Sequence, residues 1–124
     1  MNNLNIIIVE DNSSFALEVE ILIKESGYNL LGSFDHSEKA LEVIKKERPD
    51  LVLMDIHING EKDGIALAQE IKQYQIPVIF MTSVNDPSSY EESKKSLSYA
   101  YLVKPFDLLT LQNAIEMAIK LITS

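Results

Sequence analysis

The stretch LVLMDIHING, residues 51–60, decides the fold, because an apolar run in it leads directly into a carboxylate at Asp55. Such a run is typical of a strand that is buried on both faces of a parallel sheet. Burying a charge without a partner is costly, so an aspartate at the end of this strand needs a local reason. We therefore expect other polar side chains to meet Asp55 there.

Strand-length apolar runs alternate with amphipathic stretches along the whole chain. The runs predict strands at residues 4–9, 29–34, 50–55, 78–82 and 99–103. Apolar residues at helical spacing predict helices at residues 14–26, 37–47, 63–74, 85–96 and 107–122. Asn12 or Ser13 could cap the first helix, and Ser37 could cap the second. The alternation predicts βαβ units and therefore an α/β fold with a parallel sheet covered on both faces.

Composition narrows the class of protein. A chain of 124 residues with 46% hydrophobic and 24% charged residues is typical of one globular domain. It has no cysteine, which excludes disulfides, thiol nucleophiles and cysteine-ligated metals and suits a cytoplasmic location. A net charge of −8 argues against nucleic-acid binding through phosphate contacts. We find neither a membrane-span-length apolar segment nor a secretory signal, and expect no membrane association.

Polar side chains follow four of the predicted strands. Glu10 and Asp11 follow the first strand, Asp55 ends the third, Thr82 ends the fourth, and Lys104 follows the fifth. Ligands of open α/β sheets bind beyond the carboxyl ends of the strands, so we expect these groups to converge. Clustered carboxylates repel one another, and Mg²⁺ would relieve that repulsion. Each residue alone has an ordinary explanation, such as a cap or a surface lysine, but their convergence favours a site.

Four motifs give the chain a family resemblance. IIIVEDN, LVLMDIHINGEKDG, PVIFMTS and AYLVKPF occur in this order, and the sequence resembles the receiver domain of two-component response regulators over essentially all of residues 1–124. The resemblance implies a flavodoxin-like (CheY-like) fold, with a five-stranded parallel sheet of order 2-1-3-4-5 and five helices on both faces. Two departures are a HINGEKDG loop longer by one or two residues and a serine-rich fourth helix.

The resemblance also implies residue roles. Asp55 would be the phosphorylated and catalytic aspartate, and Mg²⁺ would be held by Glu10, Asp11, Asp55 and the backbone carbonyl of His57. Lys104 would contact one phosphoryl oxygen, and the Lys104–Pro105 peptide is a candidate cis bond.

The remaining implied roles concern the switch. The Thr82 hydroxyl would contact a second phosphoryl oxygen, with the backbone N–H of Ser83 nearby. Tyr101 would be the switch aromatic that turns inward as Thr82 moves toward the phosphate.

The resemblance further implies partners and a signalling surface. A sensor histidine kinase or a phosphotransfer protein would supply the phosphoryl group, and the domain would assist its own dephosphorylation. The signalling surface would comprise the fourth predicted helix, the fifth strand and the fifth helix. Leu109, Met117 and Leu121 fall at least partly outside the core stripe of the last helix, which predicts a partner or homodimer face. Ordinary surface apolarity is the alternative.

Three other functions would fit parts of the pattern. A flavodoxin-type cofactor binder needs a phosphate loop after the first strand, where EDNSSF instead places two carboxylates. An aspartate-nucleophile phosphatase usually has a second aspartate two residues after the first, where His57 stands. A receiver-like adaptor would bind partners without phosphorylation. The chain could be a complete regulator or the amino-terminal part of a longer one with an effector domain.

Overall fold

The computed structural model describes residues 3–83 and 100–123, with side chains described up to residue 120. Its sheet has five parallel strands in the order β2-β1-β3-β4-β5. The strands are β1 (Asn5–Val9), β2 (Asn29–Phe34), β3 (Leu51–Asp55), β4 (Val78–Ser83) and β5 (Ala100–Lys104). The helices of the described ranges are α1 (Ser13–Glu25), α2 (Ser37–Glu47), α3 (Gly64–Ile71) and a C-terminal helix (Leu108–Thr123). A short 3-10 segment, Lys72–Tyr74, continues α3.

The predicted flavodoxin-like fold and strand order are confirmed. Each predicted strand begins and ends within one residue of an observed one. The helices also agree, except that the predicted third helix ends in the 3-10 segment. The helix predicted at residues 85–96 lies outside the described residues.

Two apolar clusters cover the two faces of the sheet. On the first, which we call the α1 face, strand side chains pack against α1 and the C-terminal helix; its members include Ile8, Leu53, Met81, Leu102, Val19, Ile23, Leu111 and Ile115. On the second face, which we call the α2 face, strand side chains pack against α2 and α3. The members of this cluster include Val9, Met54, Phe80, Ala40, Ile44, Leu67 and Ile71. Since successive strand residues point to opposite faces, burial on both sides explains why β1, β3 and β4 are apolar almost throughout.

Side-chain caps explain where two of the helices begin. The Asn12 side chain accepts a hydrogen bond from the Phe15 N–H at 3.0 Å, which confirms the predicted cap of α1. Asp63 caps α3 in the same way. The prediction that Ser37 caps α2 is wrong. His36 occupies the cap position without a side-chain hydrogen bond, and the Ser37 hydroxyl instead contacts the loop after β3.

The C-terminal helix divides into the two faces that its sequence predicted. Leu111, Ile115 and Ala118 are fully buried, whereas Leu109 and Met117 are 64% and 57% exposed. The side chains of Leu121 and Ile122 lie outside the described part. On α1, Leu17 and Ile21 are exposed as well. None of the helices in residues 3–83 and 100–123 combines the length and apolar character needed to cross a membrane.

Candidate functional site

Strand alternation brings three charged side chains to one face of the sheet. Glu10, Asp55 and Lys104 each come two residues after a side chain of the α1 face, so they point to that same face. The strands β1, β3 and β5 are parallel members of one sheet, so their carboxyl ends share one edge. The Lys104 Nζ lies 2.7 Å from Glu10 Oε1 and 3.3 Å from Asp55 Oδ2. The structure therefore brings together the acids and the lysine that the sequence placed at the strand ends.

Glu10 is a buried carboxylate with two kinds of partner. It is only 2% exposed, and its Oε2 accepts a hydrogen bond from the Asn12 N–H at 3.0 Å. Its Oε1 makes the close ionic contact to the Lys104 ammonium at 2.7 Å. The Lys104 ammonium thus compensates a charge that burial alone would strongly disfavour.

Asp55 lies in the same buried environment. It is 7% exposed, and its Oδ1 accepts a hydrogen bond from the His57 N–H at 3.2 Å. Burial, followed by repulsion from Glu10, raises the pKa of Asp55 to about 7 against the opposing effect of Lys104. The site therefore lacks enough positive charge to keep this carboxyl group fully ionised at neutral pH.

The acidic side chains fit a divalent cation. Glu10, Asp11 and Asp55 each offer a carboxylate oxygen, and these oxygens lie within 4.8 Å of one another. Asp11 is exposed while the other two are buried, so the cluster opens toward solvent on one side. Hard oxygen donors with room for water are what Mg²⁺ prefers. The His57 side chain is exposed, and its backbone N–H donates a hydrogen bond to Asp55.

Thr82 on β4 and Tyr101 on β5 lie on the face of the sheet opposite to the one to which Glu10, Asp55 and Lys104 point. Thr82 is buried and directly follows Met81, the register partner of Asp55, and its hydroxyl lies 3.5 Å from the Ser83 carbonyl. Tyr101 is half-buried and stacks on Phe80, with ring centroids 6.1 Å apart. Because Phe80 and Thr82 are two residues apart on β4, Thr82 points to the face on which Tyr101 packs.

An aromatic pair beside Lys104 was not predicted as part of the site. The Phe15 ring centroid lies 4.9 Å from the Lys104 Nζ, and Phe15 contacts Phe106 edge to face at 5.6 Å. The ring supplies a weak electrostatic attraction and covers one side of the ammonium. Sequence spacing indicated only that Phe15 belongs to the apolar face of α1. The Lys104–Pro105 peptide is cis, as expected.

The fold and the site together define a class of protein: a flavodoxin-like domain with an acidic pocket and a lysine at the carboxyl edge of its sheet. Comparison with known families identifies the family within this class. Residues 6–116 match the family model described as the response regulator receiver domain. The chain belongs to this family, which sets the flavodoxin-type cofactor binder and the aspartate-nucleophile phosphatase aside.

Three curated relatives illustrate the similarity. The transcriptional regulatory protein PdtaR of Mycobacterium tuberculosis is 32% identical over 115 residues, covering 92% of this chain and 56% of that protein. The transcriptional regulatory protein ZraR of Escherichia coli is 34% identical, covering 95% and 27%. The sporulation initiation phosphotransferase F of Bacillus subtilis is 32% identical and covers 94% of both chains. The chain thus spans about half of the first relative and nearly all of the third.

A solved structure agrees with this assignment. The signal receiver domain of a modulated diguanylate cyclase from Desulfovibrio desulfuricans has a TM-score of 0.91 and 34% identity, and the match covers 98% of this chain and 97% of that one. Receiver domains are signalling domains that interact with histidine kinases or phosphotransfer proteins. They generally bind Mg²⁺ through an acidic cluster, and in this chain the carboxylates of Glu10, Asp11 and Asp55 lie close together.

Proposed function

We propose that residues 1–124 form one receiver domain in which Asp55 accepts a phosphoryl group. The donor would be a phosphohistidine of a sensor histidine kinase or phosphotransfer protein, or a small phosphodonor. The domain would meet this donor in the cytoplasm. One observation carries this proposal: Asp55 is held 3.3 Å from the Lys104 ammonium and within 4.8 Å of the oxygens of Glu10 and Asp11. The Bacillus subtilis relative, named a phosphotransferase, supports it.

The chemistry uses the Asp55 carboxylate as the nucleophile. One of its oxygens attacks the phosphorus, a P–O bond forms, and the P–N bond to the donor imidazole breaks with its electron pair leaving on nitrogen. Lys104 would neutralise charge on one phosphoryl oxygen, and the Thr82 hydroxyl and Ser83 N–H would donate hydrogen bonds to another. In the later hydrolysis these groups would assist attack of water on the phosphorus, which breaks the P–O bond to Asp55 and releases inorganic phosphate.

Mg²⁺ would be held by the carboxylates of Glu10, Asp11 and Asp55 and by the backbone carbonyl of His57. When bound, the ion supplies positive charge for the phosphoryl oxygens. The raised pKa of Asp55 supports this role, because a cation beside the carboxyl group would favour the ionised form that the nucleophile needs.

The signal would leave the domain through a surface around β5. Thr82 would move toward the phosphoryl group and Tyr101 would turn further inward, so that the fourth predicted helix, β5 and the C-terminal helix present a changed surface. Exposed Val103, Leu109 and Met117 favour a partner or a second copy of the chain as the ligand of this surface.

Labelling with radioactive acetyl phosphate tests the assignment of Asp55. Wild-type protein should become labelled only with Mg²⁺, and the label should be released by hydroxylamine, as expected of an acyl phosphate. Asp55→Asn should abolish labelling, because an amide is not a comparable nucleophile. Glu10→Gln should only slow labelling, since Asp11 and Asp55 still offer oxygen ligands.

Asp35→Asn is the matched control, because Asp35 is an exposed aspartate at the same edge of the sheet. It should be labelled like the wild type. Undiminished labelling of Asp55→Asn would refute the assignment. A wild-type protein that binds Mg²⁺ but takes no label would instead indicate an adaptor that works without phosphorylation.

A further inference from the structure

The amino end of α2 holds the loop that follows β3. Ser37 is only 2% exposed, its N–H donates a hydrogen bond to the Asn59 carbonyl at 2.9 Å, and its hydroxyl accepts one from the Lys62 N–H at 3.1 Å. His36 also forms an isolated parallel bridge with Asn59. A serine at the first position of a helix is usually solvated, so its burial against a loop needs a reason other than helix formation.

Glu38 adds a charged acceptor to the same contact. Its Oε2 accepts hydrogen bonds from the Glu61 N–H and from the Ser37 hydroxyl, the second at 3.2 Å. Chiefly because of the Glu61 N–H, the pKa of Glu38 is lowered, which keeps the carboxylate ionised at neutral pH. Ser37 and Glu38, which we call the α2 clamp, therefore satisfy two consecutive backbone N–H groups of the loop.

Gly60 shows that the loop is shaped to fit the α2 clamp. Its φ of +114° is a conformation that other residues rarely adopt, and a Cβ there would lie 2.4 Å from the Ser37 Oγ. Only glycine allows the backbone to approach the hydroxyl this closely. The clamp thus receives the middle of the HINGEKDG loop, residues 59–62.

Both ends of the loop are tied to the proposed acceptor site. At its start the His57 N–H donates to Asp55 Oδ1 at 3.2 Å. At its end the Gly64 N–H donates to the Ile56 carbonyl at 2.7 Å, and a Cβ on Gly64 would lie 2.0 Å from the Asp55 carbonyl oxygen. His57 lies only two residues from Asn59, which the clamp holds. A movement of the loop at the clamp would therefore be transmitted to the backbone next to Asp55.

We propose that Ser37 and Glu38 are positioning residues for Mg²⁺ binding: by holding the loop backbone at residues 59–62, they fix the His57 carbonyl beside Asp55. This inference rests on the proposed function. Among the described residues, no hydrogen bond or ion pair joins Ser37 or Glu38 to Glu10, Asp11 or Asp55, so the two residues act through the loop. Groups that orient metal ligands from a distance commonly change metal affinity when they are removed.

The test measures Mg²⁺ affinity by calorimetry in Ser37→Ala and Glu38→Ala. We expect the Kd for Mg²⁺ to rise about tenfold in each variant. Glu38→Gln, which keeps an oxygen acceptor for the Glu61 N–H, should recover much of the affinity. Amide hydrogen exchange of the metal-free variants should show lost protection at Glu61 and Lys62.

Two control variants separate positioning from general destabilisation. Ser26→Ala removes a half-buried hydroxyl that donates to the Leu22 carbonyl at 2.8 Å, far from the loop. Glu42→Ala removes an exposed glutamate of the same helix that pairs with Lys39. Both should keep the wild-type Kd even where they lower the melting temperature. If Ser37→Ala does not fold, Gly60→Ala displaces the loop from the other side and should raise the Kd in the same way.

The outcomes distinguish this inference from the proposed function. Wild-type affinity in Ser37→Ala and Glu38→Ala, with a normally labelled wild-type protein, would overturn the positioning role alone. Intact protection of the Glu61 and Lys62 amides in those variants would overturn it too. A wild-type protein that neither binds Mg²⁺ nor becomes labelled would overturn the proposed function itself.

Discussion

The Asp55 carboxyl group lies where the protein disfavours its charge, and its two neighbours act in opposite directions. Glu10 repels it, whereas Lys104 attracts it from 3.3 Å, and burial adds the largest effect on its pKa. A group held at a pKa near 7 is far from the ordinary value of 3.8. Perturbation of this kind, at the end of a buried strand, is typical of functional carboxyl groups rather than structural ones.

The raised pKa of Asp55 predicts a pH dependence of the stability of the metal-free protein. Between about pH 4 and pH 7 the folded chain keeps a proton on Asp55 that the unfolded chain has released, so the free energy of unfolding should fall as pH rises. Asp55→Asn should remove this contribution, which is on the order of a few kcal/mol for a shift of this size. Urea denaturation of both proteins without metal at several pH values measures it. A difference between them that does not change across this range would contradict the raised pKa.

The sequence predicted the charged part of the site but not its surroundings. Glu10, Asp55 and Lys104 could be found because the carboxyl ends of parallel strands share an edge, which makes the meeting of their side chains a consequence of the strand assignment. The contact of Phe15 with Lys104 depends on how α1 packs on the sheet. The loop partners of Ser37 also depend on tertiary folding and could not be predicted locally. From its residue type and its position in the sequence alone, Ser37 is expected to be an ordinary helix cap.

At the scale of single elements, apolar runs located the strands to within one residue, because polar residues or a proline flank the runs. The capping residues of the helices were harder to predict than the bounds of the helices. Ser, Asn and Asp can all serve as caps, and only the observed hydrogen bonds separate Asn12, which caps α1, from Ser37, which does not cap α2. The faces of the C-terminal helix were predictable, since helical spacing alone separates buried Ile115 from exposed Met117.

Asn12 connects the start of α1 to the site through two different groups. Its side chain caps the helix, and its backbone N–H donates to Glu10. Asn12→Ala should therefore lower the free energy of unfolding by about 1 kcal/mol while leaving the Mg²⁺ affinity unchanged, because the N–H remains. Urea denaturation and calorimetry measure the two quantities. Asn113→Ala, at an exposed position within the C-terminal helix, should have little effect on either. A large loss of affinity in Asn12→Ala would show that the side chain acts on the site.

At the scale of the whole molecule, the proposed site exists only when the sheet has formed. Asp11 follows β1 and Asp55 ends β3, and these adjacent strands pack between the two apolar clusters. Unfolding separates the acids along the chain, whereas folding forces like charges together. The packing of both clusters must therefore stabilise the fold enough to hold acids that repel one another when no cation is bound.

This coupling predicts that Mg²⁺ stabilises the folded chain. At about one hundred times its Kd, Mg²⁺ should raise the free energy of unfolding by ~2.7 kcal/mol, because it binds the folded protein alone. Asp11→Asn and Asp55→Asn should each lose most of this gain. The protein has a net charge of −8, so salt by itself also reduces repulsion, and potassium chloride at equal ionic strength is the necessary control. Thermal unfolding with Mg²⁺ and with potassium chloride measures the stabilisation that each salt produces. Equal stabilisation by the two salts, or an undiminished gain in Asp55→Asn, would show that Mg²⁺ acts only by screening and that the acids do not bind it.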